Sequence, residues 1–255
     1  MTDLHAGGVG LWTPGFADLA AFAAGVPGPA GSAPRAELLP AALRRRATPL
    51  AQMVAAAAAQ AAAQAGADLA TVPMVFGSAL GEIGLAVSML GEFRQGEGLP
   101  SPTRFHNAVH NGPAAYVSIA TGNHGFATAL AAGPETTAAA LLEVAALLAE
   151  RGGEAILALA DEPAPAPFAP ARPFPPLAVA IHLSARGGPR TRAVLRGPRR
   201  EAGPPPDLPS PYADHPCAGG LALARAIWAG AAGPVHLGPA GERGWVVELS
   251  RGGAP

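Results

Sequence analysis

The stretch "SPTRFHNAVHNGPAAYVSIATGNHGFATALAAG", Ser101 to Gly133, decides the fold. Two histidines four residues apart, His106 and His110, alternate with Asn107 and Asn111. The β-branched and apolar run "AYVSIAT" (Ala115 to Thr121) predicts a strand. "HGFATALAA" behind it predicts a short helix, because alanine is the best helix former. A strand that runs into a helix N-terminus is a place to present a nucleophile, since the free N–H groups there favour negative charge. The residue at that junction is Thr121. A threonine hydroxyl needs an adjacent base or an N-terminal amine to attack, and the sequence supplies neither. Thr121 therefore reads as a capping residue.

Working outward, "VPMVFGS" (Val72 to Ser78) and "EAILALAD" (Glu154 to Asp161) predict buried strands by their apolar content. Between them "ALGEIGLAVSMLGEFRQ" and "PETTAAALLEVAALLAER" predict helices. Further upstream, "GVGLW" (Gly8 to Trp12) predicts a strand and Val26 to Pro34 a loop. A helix follows from Pro49 to Ala65, with Thr48 as N-cap, Pro49 as first helical residue and Gly66 as stop. Strands alternating with helices imply an α/β layered domain. From Glu162 to Pro176 the segment "EPAPAPFAPARPFPP" holds seven prolines in fifteen residues and predicts an extended connector. Beyond it, "LAVAIHLSA" and "GWVVELS" read as strands and "HPCAGGLALARAIWAGA" as a helix. So proline-rich a region makes a thin core alone. The expectation is one domain over residues 1–255.

The 255 residues are 49% hydrophobic and 14% charged with net charge −1, which fits a core-forming chain and gives no electrostatic footprint for nucleic acid or an anionic membrane. Cys217 stands alone, which excludes a disulfide framework or a cysteine-rich metal site. The N-terminus lacks the basic and apolar regions of a signal peptide, and the run "MVAAAAAQAAAQAGA" is too weakly apolar for a membrane span. A cytoplasmic location is expected.

Three motifs invite chemistry. His106 and His110 would share a helical face and could hold zinc, but no third ligand stands nearby, so no metal is expected. Ser78 in "VFGSALGE" misses the G-x-S-x-G nucleophile pattern and reads as an N-cap at a strand-to-helix turn. Cys217 follows His215 across Pro216 and reads as a buried structural thiol. No glycine-rich loop matches a dinucleotide or P-loop fingerprint, so no cofactor is expected.

The order of "VPMVFGSALGEI", "LPSPTRFHNAVHN", "YVSIATG", "LADEPAP" and "HPCAGGLALARAIWA" resembles the N-terminal half of a β-ketoacyl synthase. More closely it is similar to the short ketosynthase-like chain-length factors of aryl polyene clusters. The resemblance implies a thiolase-like layered α/β/α half-fold with a mixed sheet. It places "VSIATG" where ketosynthases carry "VDTACS", which puts Thr121 at the nucleophilic cysteine. His182, His215 and His236 do not lie in the sequence contexts of the family's catalytic pair. The resemblance thus implies a chain with no catalytic residue, paired as a heterodimer with a catalytic β-ketoacyl synthase whose acyl tunnel it shapes. Contact with an acyl carrier protein is left open. Phe105, Val109, Tyr116 and Phe126 are the tunnel candidates. His106, Asn107, His110 and Asn111 are the candidates for hydrogen bonds across the interface. Two alternatives stand beside this: an independent acyl-transfer enzyme using Thr121, Ser78 or Cys217, and a structural homodimer.

Overall fold

Glycines at positions 8 and 10 let a helix lie directly on a strand, and the layers are built around that contact. In the computed structural model, which describes residues 3–29, 33–96, 101–239, 241 and 244–252, β1 (Leu4–Trp12) carries both glycines. Short helices α1 (Leu19–Ala24) and α2 (Ala41–Arg44) lead to α3 (Pro49–Ala65). The Thr48 hydroxyl accepts the Ala51 N–H, and Gly66 closes α3 at φ +69°, a left-handed conformation that glycine adopts without penalty. Then come β2 (Met74–Gly77), α4 (Ile83–Gln95), α5 (Pro102–Asn107), α6 (Gly112–Thr121) and β3 (Ala127–Leu130). A 3₁₀ turn (Gly133–Glu135) opens α7 (Thr136–Arg151), followed by β4 (Glu154–Asp161), β5 (Leu177–Ser184) and β6 (Ala193–Arg200). The described chain finishes with α8 (Ala218–Trp228), β7 (Gly233–His236) and β8 (Trp245–Arg251).

All eight strands form one mixed sheet in the order β3-β2-β4-β5-β1-β6-β8-β7. β2 pairs parallel with both β3 and β4, and the remaining pairs are antiparallel. One face packs on α3 and α6, through Met53, Val54, Phe76, Tyr116 and Ile156. The other packs on α7 and α8, through Leu141, Val144, Leu157, Leu221 and Ile227. The result is the expected α/β/α sandwich. The expected strands at 8–12, 72–78, 154–161 and 177–185 are present with small boundary shifts. The proline-rich 162–176 segment contains no helix or strand.

Two expectations reverse. Ala115 to Thr121 is the body of helix α6, and Ala127 to Leu130 within the expected helix is strand β3. Pro113 in the first turn and Gly122 at φ +67° punctuate α6 as a helix. Ala114, Tyr116 and Val117 face the core while Ile119 stays outside. Pairing with β2 overrides alanine's helical preference in β3. Strands β6 and β7 have no counterpart in the sequence reading. Leu99 and Pro100 of the "LPSPTRFHNAVHN" block, and residues 30–32 of the expected loop, lie outside the described residues.

Candidate functional site

Three parallel strand ends, Gly77 of β2, Leu130 of β3 and Asp161 of β4, lie together at one end of the sheet. Beyond β3 the chain runs through Ala131 and Ala132 to Gly133 at φ +54°. That glycine opens the turn leading into α7. Thr136 braces the corner: its hydroxyl donates to the Gly133 carbonyl (2.7 Å) and accepts from the Ala132 N–H (3.0 Å). Above the corner lies a cavity of about 490 Å³ lined by Leu80, Gly133, Pro134, His215, Gly219 and Pro239 among others. The strand-to-helix geometry exists, but it presents a glycine.

The position of Thr121 is corrected accordingly. It is the last residue of α6, and its hydroxyl donates back to the Val117 carbonyl (2.9 Å). No helix N-terminus faces it. The other proposed residues divide. Asn107 and Tyr116 are buried and tied to one another: the Tyr116 hydroxyl lies 2.9 Å from Asn107 Oδ1 and from the Arg46 carbonyl, and Asn107 Nδ2 donates to that same carbonyl. This cluster anchors α5 and α6 to the loop before α3, and both side chains border a recess with Leu43, His106 and Ile119. His110 Nε2 sits 2.9 Å from the Ser78 carbonyl, inside the chain. Phe105 (65% exposed), Val109, His106 and Asn111 are open to the surface. Phe126 packs into the core cluster on the other side of the sheet, under the Arg151 guanidinium. The structure therefore separates it from the Phe105 group. Among the described residues no group of His, Cys, Asp or Glu could hold a metal.

Under the cavity lies a buried polar core that the sequence reading did not identify. Asp161 accepts hydrogen bonds from the Ser78 hydroxyl (2.7 Å), the Ala79 and Leu80 N–H groups (3.0 and 2.8 Å) and the Cys217 thiol (3.3 Å). Burial pushes its pKa up, and these donors oppose the push. Ser78 Oγ in turn accepts from the Gly81 N–H. It braces the turn after β2 rather than capping α4, which starts at Ile83. Cys217 is fully buried, and burial followed by the neighbouring Asp161 charge drives its thiol well up, which disfavours the thiolate. His215 Nδ1 accepts from the Cys217 N–H (2.9 Å), which assigns the ring proton to Nε2 in the neutral form. The signal for Asp161 was available: a carboxylate closes a strand that is apolar from Ala155 to Ala160.

The site has a pH signature. Burial raises Glu82 to about 7 against an ordinary 4.5, although the Thr48 hydroxyl donates to it at 2.5 Å. Burial lowers His215 from 6.5 to about 3. Glu82 binds its proton in the fold more tightly than in the unfolded chain, so stability falls as pH rises from 4.5 to about 7. His215 does the reverse, so stability falls as pH drops from 6.5 toward 3. Asp161 and Glu162, both raised by burial, add to the loss on the alkaline side. Thermal unfolding followed against pH is expected to show a maximum at acid pH, with loss toward alkaline pH from the carboxyl groups and toward pH 3 from His215. Glu82→Gln is expected to remove part of the alkaline limb, worth about 3 kcal/mol.

The chain belongs to the β-ketoacyl synthase N-terminal domain family, which it matches across residues 23–227. Among solved structures it is similar to a chain of the ketosynthase (ApeO) in complex with its chain length factor (ApeC) from Xenorhabdus doucetiae. The TM-score is 0.73 at 17% identity, over 97% of this chain and 99% of that one. It is also similar to a chain of AntDE:AntF, a type II acyl-carrier protein in complex with its ketosynthase (TM-score 0.63, 12% identity, 80% and 70% covered). The ishigamide ketosynthase/chain length factor follows (TM-score 0.55, 17% identity, 77% and 67% covered). No curated protein matches. The fold is thus that of the ketosynthases.

Proposed function

We propose that this chain is a chain-length factor: a ketosynthase-like subunit without a nucleophile that pairs with a catalytic β-ketoacyl synthase and shapes its acyl tunnel. Gly133 carries the reading. The corner where a ketosynthase strand would deliver its cysteine is intact in backbone and has no side chain to react. End-to-end coverage of a chain from a ketosynthase/chain length factor complex supports it, since longer neighbours are covered only to 67–71%.

The docking surface follows from β3, which ends the sheet and has one unpaired edge. Phe126 O accepts from Met74 N and Leu130 O from Ser78 N, so the even-numbered residues face β2. By strand alternation Ala127 and Ala129 turn their N–H and C=O groups outward. A groove between this edge and α6 is lined by Ala115, Ser118, Ile119 and Thr128, and Ile119 also borders a recess beside His106 on α5. An exposed edge flanked by Ile119, 60% exposed, is a surface that natural proteins cover. The partner supplies the cysteine that holds a growing acyl chain of the polyene type and the histidines that assist decarboxylation. This chain extends the sheet and closes the far end of the tunnel with Phe105 and Val109, while His106 and Asn111 bond across the interface.

Co-expression with the ketosynthase of the same genomic neighbourhood, followed by chromatography with mass determination, is expected to yield a one-to-one complex. That complex should condense acyl units while neither subunit does so alone. Ala129→Pro removes one outward N–H and no bond to β2, as edge strands tolerate. It is expected to weaken the complex at least about tenfold, the equivalent of about one interface hydrogen bond, with an unchanged melting point. A homodimer indifferent to any ketosynthase would overturn the reading, because the β3 edge would then be covered by a second copy of this chain.

A further inference from the structure

A second recess lies at the other end of β4, about 23 Å from Asp161 by strand rise. It has a volume of about 420 Å³ and is bordered by Gly7, Glu154, His182 and the loop from Ser184 to Thr191. Nothing in the proposed acyl machinery reaches it. Arg186 and Arg190 stand on its rim, and among the described residues neither guanidinium has a hydrogen-bond or ion-pair partner. Arg190 is nevertheless held in place. Its Nη1 fills the notch at the end of α3 where Gly66 lacks a side chain, 1.3 Å from the point a Cβ would take. His182 is buried and oriented through Nε2 by Glu154 at 2.8 Å, while its Nδ1 is buried without a partner. The bulge at Gly7 passes over that nitrogen, where a Cβ would come within 2.8 Å. The Thr191 hydroxyl accepts from the Gly188 N–H and retains a proton to donate.

Among the described residues the only acid bordering the recess, Glu154, is engaged with His182, so the two arginines leave a net positive charge. Two guanidinium forks and a hydroxyl supply more donors than the two oxygens of a carboxylate can use, and they suit the three terminal oxygens of a phosphate monoester. The space is several times that of a bare phosphate ion. We propose that this recess binds the phosphate monoester group of a larger organic molecule, with Arg186 and Arg190 as its ligands and the loop between β5 and β6 as its wall.

Calorimetric titration of the full chain with phenyl phosphate is expected to show saturable one-to-one binding, tighter than for inorganic phosphate. The double variant Arg186→Gln/Arg190→Gln, altered only at exposed positions, is expected to lose at least about tenfold in affinity. Arg172→Gln/Arg196→Gln changes the net charge equally but at remote ion pairs, and is expected to bind as the wild type. Gly66→Ala, which fills the notch and displaces Arg190, should reproduce part of the loss without any change of charge. Absence of saturable binding, or equal losses in the two double variants, would overturn the site. Inorganic phosphate binding as tightly as phenyl phosphate would overturn its assignment to an organic ester.

Discussion

Gly10→Ala is expected to cost about 3–6 kcal/mol, enough to unfold a protein of ordinary stability. A Cβ at Gly10 would stand 2.0 Å from the Ala57 carbonyl oxygen, and one at Gly8 2.1 Å from that of Ala61. Both obstacles are helix backbone, so α3 itself would have to lift. The lift would break more than packing. β6 pairs with β1 only over Leu4 to Ala6, which leaves the rest of that edge without a strand beside it. Two glutamines of α3 take the place of the missing strand. Gln60 accepts from Leu11 N and donates to Leu11 O (3.0 and 3.1 Å), and Gln64 does the same for Val9 (3.2 and 2.6 Å). These amides work as backbone surrogates only while α3 sits on bare glycine. Urea unfolding should show the midpoint falling sharply for Gly10→Ala and by less for Gln60→Ala. A Gly10→Ala midpoint within about 1 kcal/mol of wild type would contradict the close approach.

The second large effect is expected at Asp161. Its carboxylate collects four donors from two separate pieces of chain: Ser78, Ala79 and Leu80 of the turn after β2, and Cys217 ahead of α8. Asp161→Asn keeps the shape but replaces one acceptor oxygen with an NH₂ group, which must face a donor. Removing one member of a buried, charge-assisted set costs about 3–5 kcal/mol. The loss should be local as well as global, because the same bonds set the walls of the cavity at Gly133. Cys217 reports on it directly. In the wild type the buried thiol should resist a thiol reagent under native conditions, and in Asp161→Asn it should react at least about tenfold faster as the corner opens more often. Unchanged labelling together with unchanged stability would remove Asp161 from this role.

Much of the framework is carried by local chemistry. Thr48, Pro49 and Gly66 bound α3 because capping and the left-handed stop act within a few residues. The apolar runs of β4 and β5 identify central strands because such strands are buried on both faces. The blocks from Val72 to Ala229 identify the ketosynthase family without any coordinates. What the sequence did not decide is which of two adjacent segments, 115–121 or 127–130, is the strand. Val117, Ile119 and Thr121 favour extended chain by propensity, yet that segment becomes a helix packed on α3. The alanine-rich segment becomes the strand because its hydrogen bonds go to β2, some fifty residues away. Propensity is summed over neighbours along the chain, whereas sheet pairing is settled by partners distant in sequence. That one exchange moves the strand-to-helix corner from Thr121 to Gly133 and puts β3 at the end of the sheet. The sequence by itself determined the family; only the tertiary structure brought the strand ends at Gly77, Leu130 and Asp161 to one corner, because they meet nowhere along the chain.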